Sequence, residues 1–190
     1  MATDASPEQI ARADPRPGIE YRVATADSSG LPDKSVDLVT TAQALHWLDP
    51  ESFFNEAKRV LAPGGAIAVW GYSDPVLDTP ELQRILHSFN RGTVESCWLP
   101  ERQLLLDGYA TIPFPFDEIA VPRFILAREC TLPELIGYVR TWSATARYVA
   151  EHGTEEVERL ETDLAQCWGD PHERRQVNAP LYLRAGYVRD

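Results

Sequence analysis

The sequence predicts an α/β fold, because apolar strand patterns alternate with capped, amphipathic helix patterns along its 190 residues. The clearest example lies between Ser35 and Pro75 and reads SVDLVTTAQALHWLDPESFFNEAKRVLAPGGAIAVWGYSDP. Its apolar runs at 36–39 and 66–70 are typical of strands that are buried on both faces of a parallel sheet. A strand, a helix and a second strand within this distance predict a right-handed crossover between parallel neighbours.

The helix of this crossover carries a start signal and a stop signal. Asp49 is a candidate N-cap, and Pro50 fits the first helical position. Lys58 and Arg59 suit the negative end of the helix dipole. The apolar residues at helical spacing are Phe53, Phe54, Ala57, Val60 and Leu61. The Pro-Gly-Gly at 63–65 is expected to stop the helix before the second strand.

The same signals place the remaining elements. Helices are predicted after the candidate caps Ser6, Thr79, Thr131 and Thr154, and a further strand is predicted at 124–128. The helix after Thr131 is expected to run through Val149. The strands expected to share one mostly parallel sheet are 19–24, 36–40, 66–70 and 181–188. Residues 93–123 are rich in proline and aromatic residues, and we expect an irregular segment that covers a cleft.

Charge and cysteine content exclude several classes of function. The net charge of −11 argues against nucleic acid or an anionic membrane as the main partner. Without a signal peptide or a long apolar run, a cytoplasmic location is expected. Cys97, Cys130 and Cys167 are far apart and show no CxxC spacing, so we expect buried free thiols, no disulfide framework and no metal site.

Several segments resemble one family in the order that the family requires. GLPDKSVDLVTTAQALHW and RVLAPGGAIAVWGYSDP resemble the segments around the fourth and fifth strands of class I S-adenosylmethionine-dependent methyltransferases. YVRTWSATARY and VNAPLYLRAGY resemble a late helix and the last strand of its methyltransferase type 11 and trans-aconitate methyltransferase-like group. The resemblance implies a Rossmann-like sheet with a helical lid. It also implies methyl transfer from S-adenosylmethionine to a small-molecule acceptor, such as a carboxylate.

The resemblance also implies an organisation of the chain. We expect one domain over 1–190, with a partial cofactor-binding core at 1–75, a lid or acceptor region at 76–180 and a closing strand at 181–190. The family's glycine-rich loop of GxGxG type is absent from the sequence, so an N-terminally truncated sheet is expected. We therefore expect weak cofactor binding by the isolated chain, and a homodimer that covers exposed sheet edges. The alternative is a non-catalytic remnant or partner-binding domain.

Cofactor residues are implied by position within the resemblance. Asp4 corresponds to the acid that accepts hydrogen bonds from the cofactor ribose, and Ala26 and Asp27 correspond to the pair that meets the adenine. Gln43 and Ala44 correspond to the floor of the site. The alternative for the two acids is that they are solvated carboxylates in a terminus and a turn.

Acceptor residues are implied in the same way. His46 would orient the acceptor or take its proton, although a helix-cap or packing role is an open alternative. The residues implied for the walls and lid of the cleft are Trp47, Trp70, Tyr72, Tyr138, Trp142 and Arg147. Core packing is the alternative for the aromatic residues, and a surface ion pair with Glu151 is the alternative for Arg147.

Overall fold

The structure is a computed structural model and describes residues 1–188. It divides into two compact units. Unit 1 comprises Met1–Gly71, Leu104–Arg123 and the chain from Tyr182 onward. Unit 2 comprises Tyr72–Gln103 and Phe124–Leu181. The subdivision into core, lid and closing strand expected from the sequence stays a prediction.

The helices and strands alternate along the described chain. The strands are β1 (Ala2–Asp4), β2 (Tyr21–Val23), β3 (Val36–Ala42), β4 (Leu61–Tyr72), β5 (Val76–Leu77), β6 (Asp117–Glu118), β7 (Phe124–Cys130) and β8 (Arg175–Tyr187). The helices are α1 (Pro7–Ala11), α2 (Pro50–Val60), α3 (Pro80–Ser88), α4 (Arg102–Leu106), α5 (Leu132–Arg140), α6 (Ser143–His152) and α7 (Glu155–Trp168). The predicted α/β class is confirmed.

The strands form two sheets rather than one. β1 and β2 pair in parallel, with Ala2 opposite Tyr21 and Asp4 opposite Val23. The second sheet has the order β3-β4-β8-β5, and β6 and β7 also pair with β8. The prediction that strand 19–24 joins strands 36–40 and 66–70 is therefore wrong, because in the described residues β2 is bonded only to β1.

The larger sheet is mixed in direction. β3 and β4 are parallel, with Leu38 opposite Ala66 and Ala42 opposite Trp70, as the crossover predicts. β5, β6 and β7 are each antiparallel to β8. The prediction of a mostly parallel sheet is therefore wrong for this part, because alternating strand and helix patterns do not fix the direction of the later strands.

The helix of the crossover begins as the sequence predicts but ends earlier. The side chain of Asp49 accepts a hydrogen bond from the amide of Ser52 at 3.0 Å. The carbonyls of Arg59 and Val60 accept hydrogen bonds from the amides of Lys34 and Ser35, so the last carbonyls are satisfied before the Pro-Gly-Gly. The chain continues directly into β4, and the prediction that residues 63–65 stop the helix is wrong.

Each unit has its own apolar core. In unit 1 the aromatic rings of α2 pack with the segment at 112–116, and the buried residues include Phe53, Phe54, Ile67, Val69, Tyr109 and Phe116. In unit 2 the core lies between α3, α5 and α7, and it includes Leu82, Leu86, Leu135, Val139, Leu164 and Trp168. No helix in the described chain is both long and apolar enough to cross a membrane.

Two further predictions are corrected in unit 2. The helix expected to run from Thr131 through Val149 is two helices, because Trp142 takes an extended conformation with ψ 135° between α5 and α6. Of the cysteines, Cys130 is buried but Cys167 is exposed, so the expectation of buried thiols fails for Cys167. Burial raises the pKa of the Cys130 thiol. The described residues contain no group of side chains that could hold a metal ion.

Candidate active site

A main-chain hydrogen bond links the carboxyl ends of β3 and β4. Gln43, the residue after β3, has a left-handed backbone with φ 54°, which is uncommon outside glycine. Its amide donates a hydrogen bond to the carbonyl of Trp70 at 2.8 Å. This turn leads into a 3-10 helix over Leu45–Trp47. Ligands of α/β sheets bind at such strand ends, so this is the candidate site.

The 3-10 helix turns His46 into the interior of unit 1. Nδ1 of His46 lies 3.0 Å from the hydroxyl oxygen of Tyr109, and the two residues are 5% and 0% exposed. Burial raises the pKa of Tyr109 to about 12, so its hydroxyl keeps its proton. A buried O–H needs an acceptor, and Nδ1 of His46 lies within hydrogen-bond distance of this one. We therefore assign the proton of the imidazole to Nε2, which makes His46 a hydrogen-bond donor.

β4 packs closely against Tyr109 at Gly71. A Cβ atom at Gly71 would lie 2.3 Å from Cδ1 of Leu105, 2.8 Å from the hydroxyl of Tyr109 and 3.0 Å from Oε1 of Gln43. Leu105 would have to move, since real Cβ atoms essentially never come so close. Only glycine therefore permits the observed packing of Gln43 and Tyr109 against this strand.

Arg184 of β8 fixes the main chain around Tyr109. Its Nη1 atom donates to the carbonyls of Tyr109 and Ile112, each at 2.7 Å. Its Nε atom lies 2.8 Å from a carboxylate oxygen of Glu118, and its guanidinium lies 4.6 Å from the centre of the Phe114 ring. The planar, fork-shaped guanidinium can donate to the carbonyl and carboxylate oxygens and stack on the ring at the same time. Tyr109 is thus held from its backbone as well as through its hydroxyl.

In the smaller sheet one carboxylate ends β1 and another follows β2. Asp4 is the last residue of β1, and its carbonyl accepts a hydrogen bond from the amide of Ala24 at 3.1 Å. One carboxylate oxygen of Asp4 accepts from the amide of Ser6 at 2.8 Å. Asp27 is exposed in the turn after β2, beside the half-buried Ala26. These acceptors fit the adenosine part of S-adenosylmethionine, because exposed carboxylates accept hydrogen bonds from ribose hydroxyls and amino groups.

The loop that carries Asp27 is fastened to α2 by Glu56. One carboxylate oxygen of Glu56 accepts from the amide and the hydroxyl of Ser29 at 2.9 Å and 2.6 Å. The other oxygen accepts from Nε of Arg59 at 2.7 Å. The hydrogen bonds from Arg59 and then Ser29 outweigh desolvation, and they lower the pKa of Glu56 from 4.5 to about 2.

The predicted acceptor residues of unit 2 form an aromatic cluster. The rings of Tyr138 and Trp142 meet edge to face with centres 5.8 Å apart. Burial raises the pKa of Tyr138 to about 12, with smaller effects that include Tyr72. Nη1 of Arg147 donates to the carbonyl of Cys97 at 2.9 Å, so it ties two segments of unit 2 together. The alternative ion pair between Arg147 and Glu151 is not present in the described residues.

The predicted site residues therefore fall into separate groups. Gln43, Ala44 and His46 lie together after β3, with Trp47 next to them but 48% exposed and Trp70 half-buried in β4. Asp4 at the end of β1 and the pair Ala26 and Asp27 after β2 form a second group. The residues that the sequence analysis missed are Gly71, Tyr109 and Arg184. The sequence holds one hint of them, the glycine that directly follows the apolar run of β4.

Comparisons with known proteins support this interpretation of the fold. Residues 1–69 match the family model described as a methyltransferase domain. A solved structure from Anaeromyxobacter dehalogenans, described as a type II methyltransferase, is 34% identical with a TM-score of 0.88. The match covers 97% of this chain and 78% of that one.

Curated proteins from other organisms are also similar to this chain. A Dictyostelium discoideum protein named as a methyltransferase is 27% identical over 186 residues, which cover 95% of this chain and 70% of the relative. A Schizosaccharomyces pombe protein named as methyltransferase-like is 37% identical over 170 residues, which cover 86% and 61%. The fold and these matches identify a class I methyltransferase. The chain belongs to the S-adenosylmethionine-dependent methyltransferase family.

Proposed function

We propose that this chain transfers the methyl group of S-adenosylmethionine to a small-molecule acceptor that presents a carboxylate. The observation that carries the proposal is the buried hydrogen bond between His46 and Tyr109 at the carboxyl end of β3. In a chain of this family, that bond gives the strand end a fixed imidazole that can orient an acceptor. A cytoplasmic location and the homodimer stay predictions.

The cofactor residues of the proposal lie in unit 1. Asp4 accepts from the ribose hydroxyls, and Ala26 and Asp27 meet the adenine, while Gln43 and Ala44 form the floor. The exposure of Asp27 and the left-handed turn at Gln43 support this assignment. The bound methyl donor supplies an electrophilic methyl group on a sulfonium sulfur.

The protonation of His46 favours a carboxylate acceptor over an alcohol. A carboxylate is already an anion at neutral pH, so it needs no general base before it forms a bond to carbon. A histidine that donates from Nε2 can hold one carboxylate oxygen and leave the other to react. Positioning of the reacting atoms is then the main contribution of the chain to the rate.

The remaining wall and lid residues stay predictions within the proposal. Trp47, Trp70 and Tyr72 are assigned to the walls, where aromatic faces also attract a sulfonium cation. Tyr138, Trp142 and Arg147 are assigned to the acceptor region. The guanidinium of Arg147 matches carboxylate geometry, and it forms no ion pair with a carboxylate elsewhere in the described part of the chain.

The test compares two replacements of His46 in a methyltransferase assay. Wild-type chain, with saturating S-adenosylmethionine and a panel of small carboxylates, is assayed for S-adenosylhomocysteine and methyl ester. His46→Gln keeps an amide donor near the position of Nε2. His46→Asn keeps an amide only near the position of Nδ1, which faces Tyr109. We expect the Gln variant to retain at least about tenfold more activity than the Asn variant, as a lost charged hydrogen bond costs about 1.5 kcal/mol or more.

Two results would contradict the proposal. One is turnover of matched alcohols or amines with none of carboxylates. The other is equal loss of activity in the Gln and Asn variants, since a general base would lose its function in both. Circular dichroism of each variant serves as the control for folding.

A further inference from the structure

The outer edge of β7 in unit 2 carries an unusual run of exposed apolar side chains. Phe124, Ile125 and Leu126 are consecutive, and 42%, 68% and 41% of their surfaces are exposed. In the described residues β7 pairs with β8 alone, so its other edge is open. An open, apolar edge strand is a template for pairing with another chain, and native proteins usually protect such edges with charge or proline.

The register of β7 on β8 shows which main-chain groups face the open edge. Ile125 lies opposite Pro180, which has no amide hydrogen. The carbonyl of Pro180 accepts from the amide of Ser73 at 2.9 Å and so points away from β7. Ile125 and Pro180 are therefore a non-hydrogen-bonded pair, and the amide and carbonyl of Ile125 point away from β8.

The main-chain groups of successive residues in a strand point alternately to its two edges. The main-chain groups of Ala127 and Glu129 must also face the open edge. The carbonyl of Glu129 agrees, since it accepts from Nη2 of Arg174 at 2.7 Å rather than from β8. Ile125 and Ala127 thus present amide and carbonyl groups to whatever lies beside β7.

We propose that two copies of this chain form a dimer by antiparallel pairing of their β7 edges about a two-fold axis at Leu126. In this register Ile125 of one protomer lies opposite Ala127 of its partner, and they exchange both main-chain hydrogen bonds. Leu126 faces Leu126 across the axis. Phe124 lies opposite Arg128.

Charge selects this register over its neighbour. Arg123, the residue directly before β7, falls opposite Glu129 of the partner, and the two-fold axis provides this pair twice. A register centred on Ala127 would instead place the apolar Ile125 opposite the carboxylate of Glu129. The strand is therefore complementary to itself in charge and in apolar contact, and a second copy of the chain is the occupant that fits it. Because the contact is closed by symmetry, it stops at two chains.

The test measures the mass of the full chain against concentration by analytical ultracentrifugation. Wild type is expected to approach twice the 21.3 kDa chain mass as concentration rises. Ala127→Pro removes a donor on the open edge, where proline is tolerated in strands, and is expected to stay monomeric. Ala127→Val keeps the donor and is the matched control, expected to dimerise like wild type. Circular dichroism establishes that each variant is folded.

Charge reversal tests the register separately. Arg123→Glu places like charges opposite each other twice in the dimer, and is expected to raise the dissociation constant about tenfold or more. Adding Glu129→Arg to that variant reverses both members of the pair and is expected to restore the wild-type value. A wild-type chain that stays monomeric, a folded Ala127→Pro dimer, a mass that grows beyond two chains, or a double reversal without rescue would each overturn the proposal.

Discussion

Nδ1 of His46 lies 3.0 Å from the hydroxyl oxygen of Tyr109, a residue 63 positions later in the chain. The contact joins the end of β3 to the segment after α4, and both side chains are buried within unit 1. In the assignment made above the phenol is the donor, so the imidazole carries its proton on Nε2. The proposed role of His46 as an orienting donor depends on it.

Tyr109→Phe tests this relationship, because it removes the hydroxyl and keeps the ring. We expect a loss of about 1–2 kcal/mol in the free energy of unfolding. We also expect the nitrogen-15 signals of the His46 ring to leave the pattern of the Nε2-protonated tautomer. Tyr148→Phe is the matched control, since the Tyr148 ring also lies beside a histidine, with its centre 4.7 Å from that of His152. Unchanged His46 signals in Tyr109→Phe would disprove the tautomer assignment.

Gly71→Ala tests the close packing of β4 against this pair. The added methyl group would overlap Leu105 and press on the Tyr109 hydroxyl. We expect a loss of about 1–3 kcal/mol in the free energy of unfolding, as for other overpacked interiors, and a disturbed His46 environment. Gly137→Ala in α5 is the control, because its Cβ would meet nothing within 4 Å. That variant should gain about 0.5–1 kcal/mol in helix stability. Equal stability of the two variants would contradict the packing described here.

Glu56→Gln tests how the loop with Asp27 is held. The pKa of Glu56 is lowered to about 2 in the folded chain, so the carboxylate contributes stability above its ordinary value of 4.5. That contribution is lost as the pH falls from 4.5 through 2. We expect the variant to be less stable by about 1–2 kcal/mol at pH 7, with the difference shrinking in that acid range. Glu51→Gln, at the start of the same helix, is the control. A difference that does not change with pH would argue against the ion pair as its cause.

Local signals along the sequence predict the elements of this fold better than their assembly. Asp49 and Thr131 act as the helix caps that their side chains suggest, and the β3–β4 crossover is parallel as expected. No proline or glycine marks the break between α5 and α6 at Trp142. The direction of β8 depends on hydrogen bonds to distant strands, which short patterns do not encode.

In the candidate site, too, local sequence signals predict single residues better than the contacts between them. Position within the family motif leads to Gln43 and His46, since they directly follow a predictable strand. Tyr109 lies in a segment without regular structure, and its role depends on a turn with φ 58° and on Arg184 from the far end of the chain. Contacts of this kind arise from tertiary packing, so the sequence offers little to indicate them.

The most direct test of the proposed function is a nuclear magnetic resonance titration of this chain with S-adenosylhomocysteine. We predict saturable binding, with amide shifts concentrated at 4–6, 24–28 and 41–47. Asp27→Asn should weaken it several-fold, whereas Asp37→Asn in β3 should not. No saturable binding, shifts confined to other segments, or no response to Asp27→Asn would contradict the account.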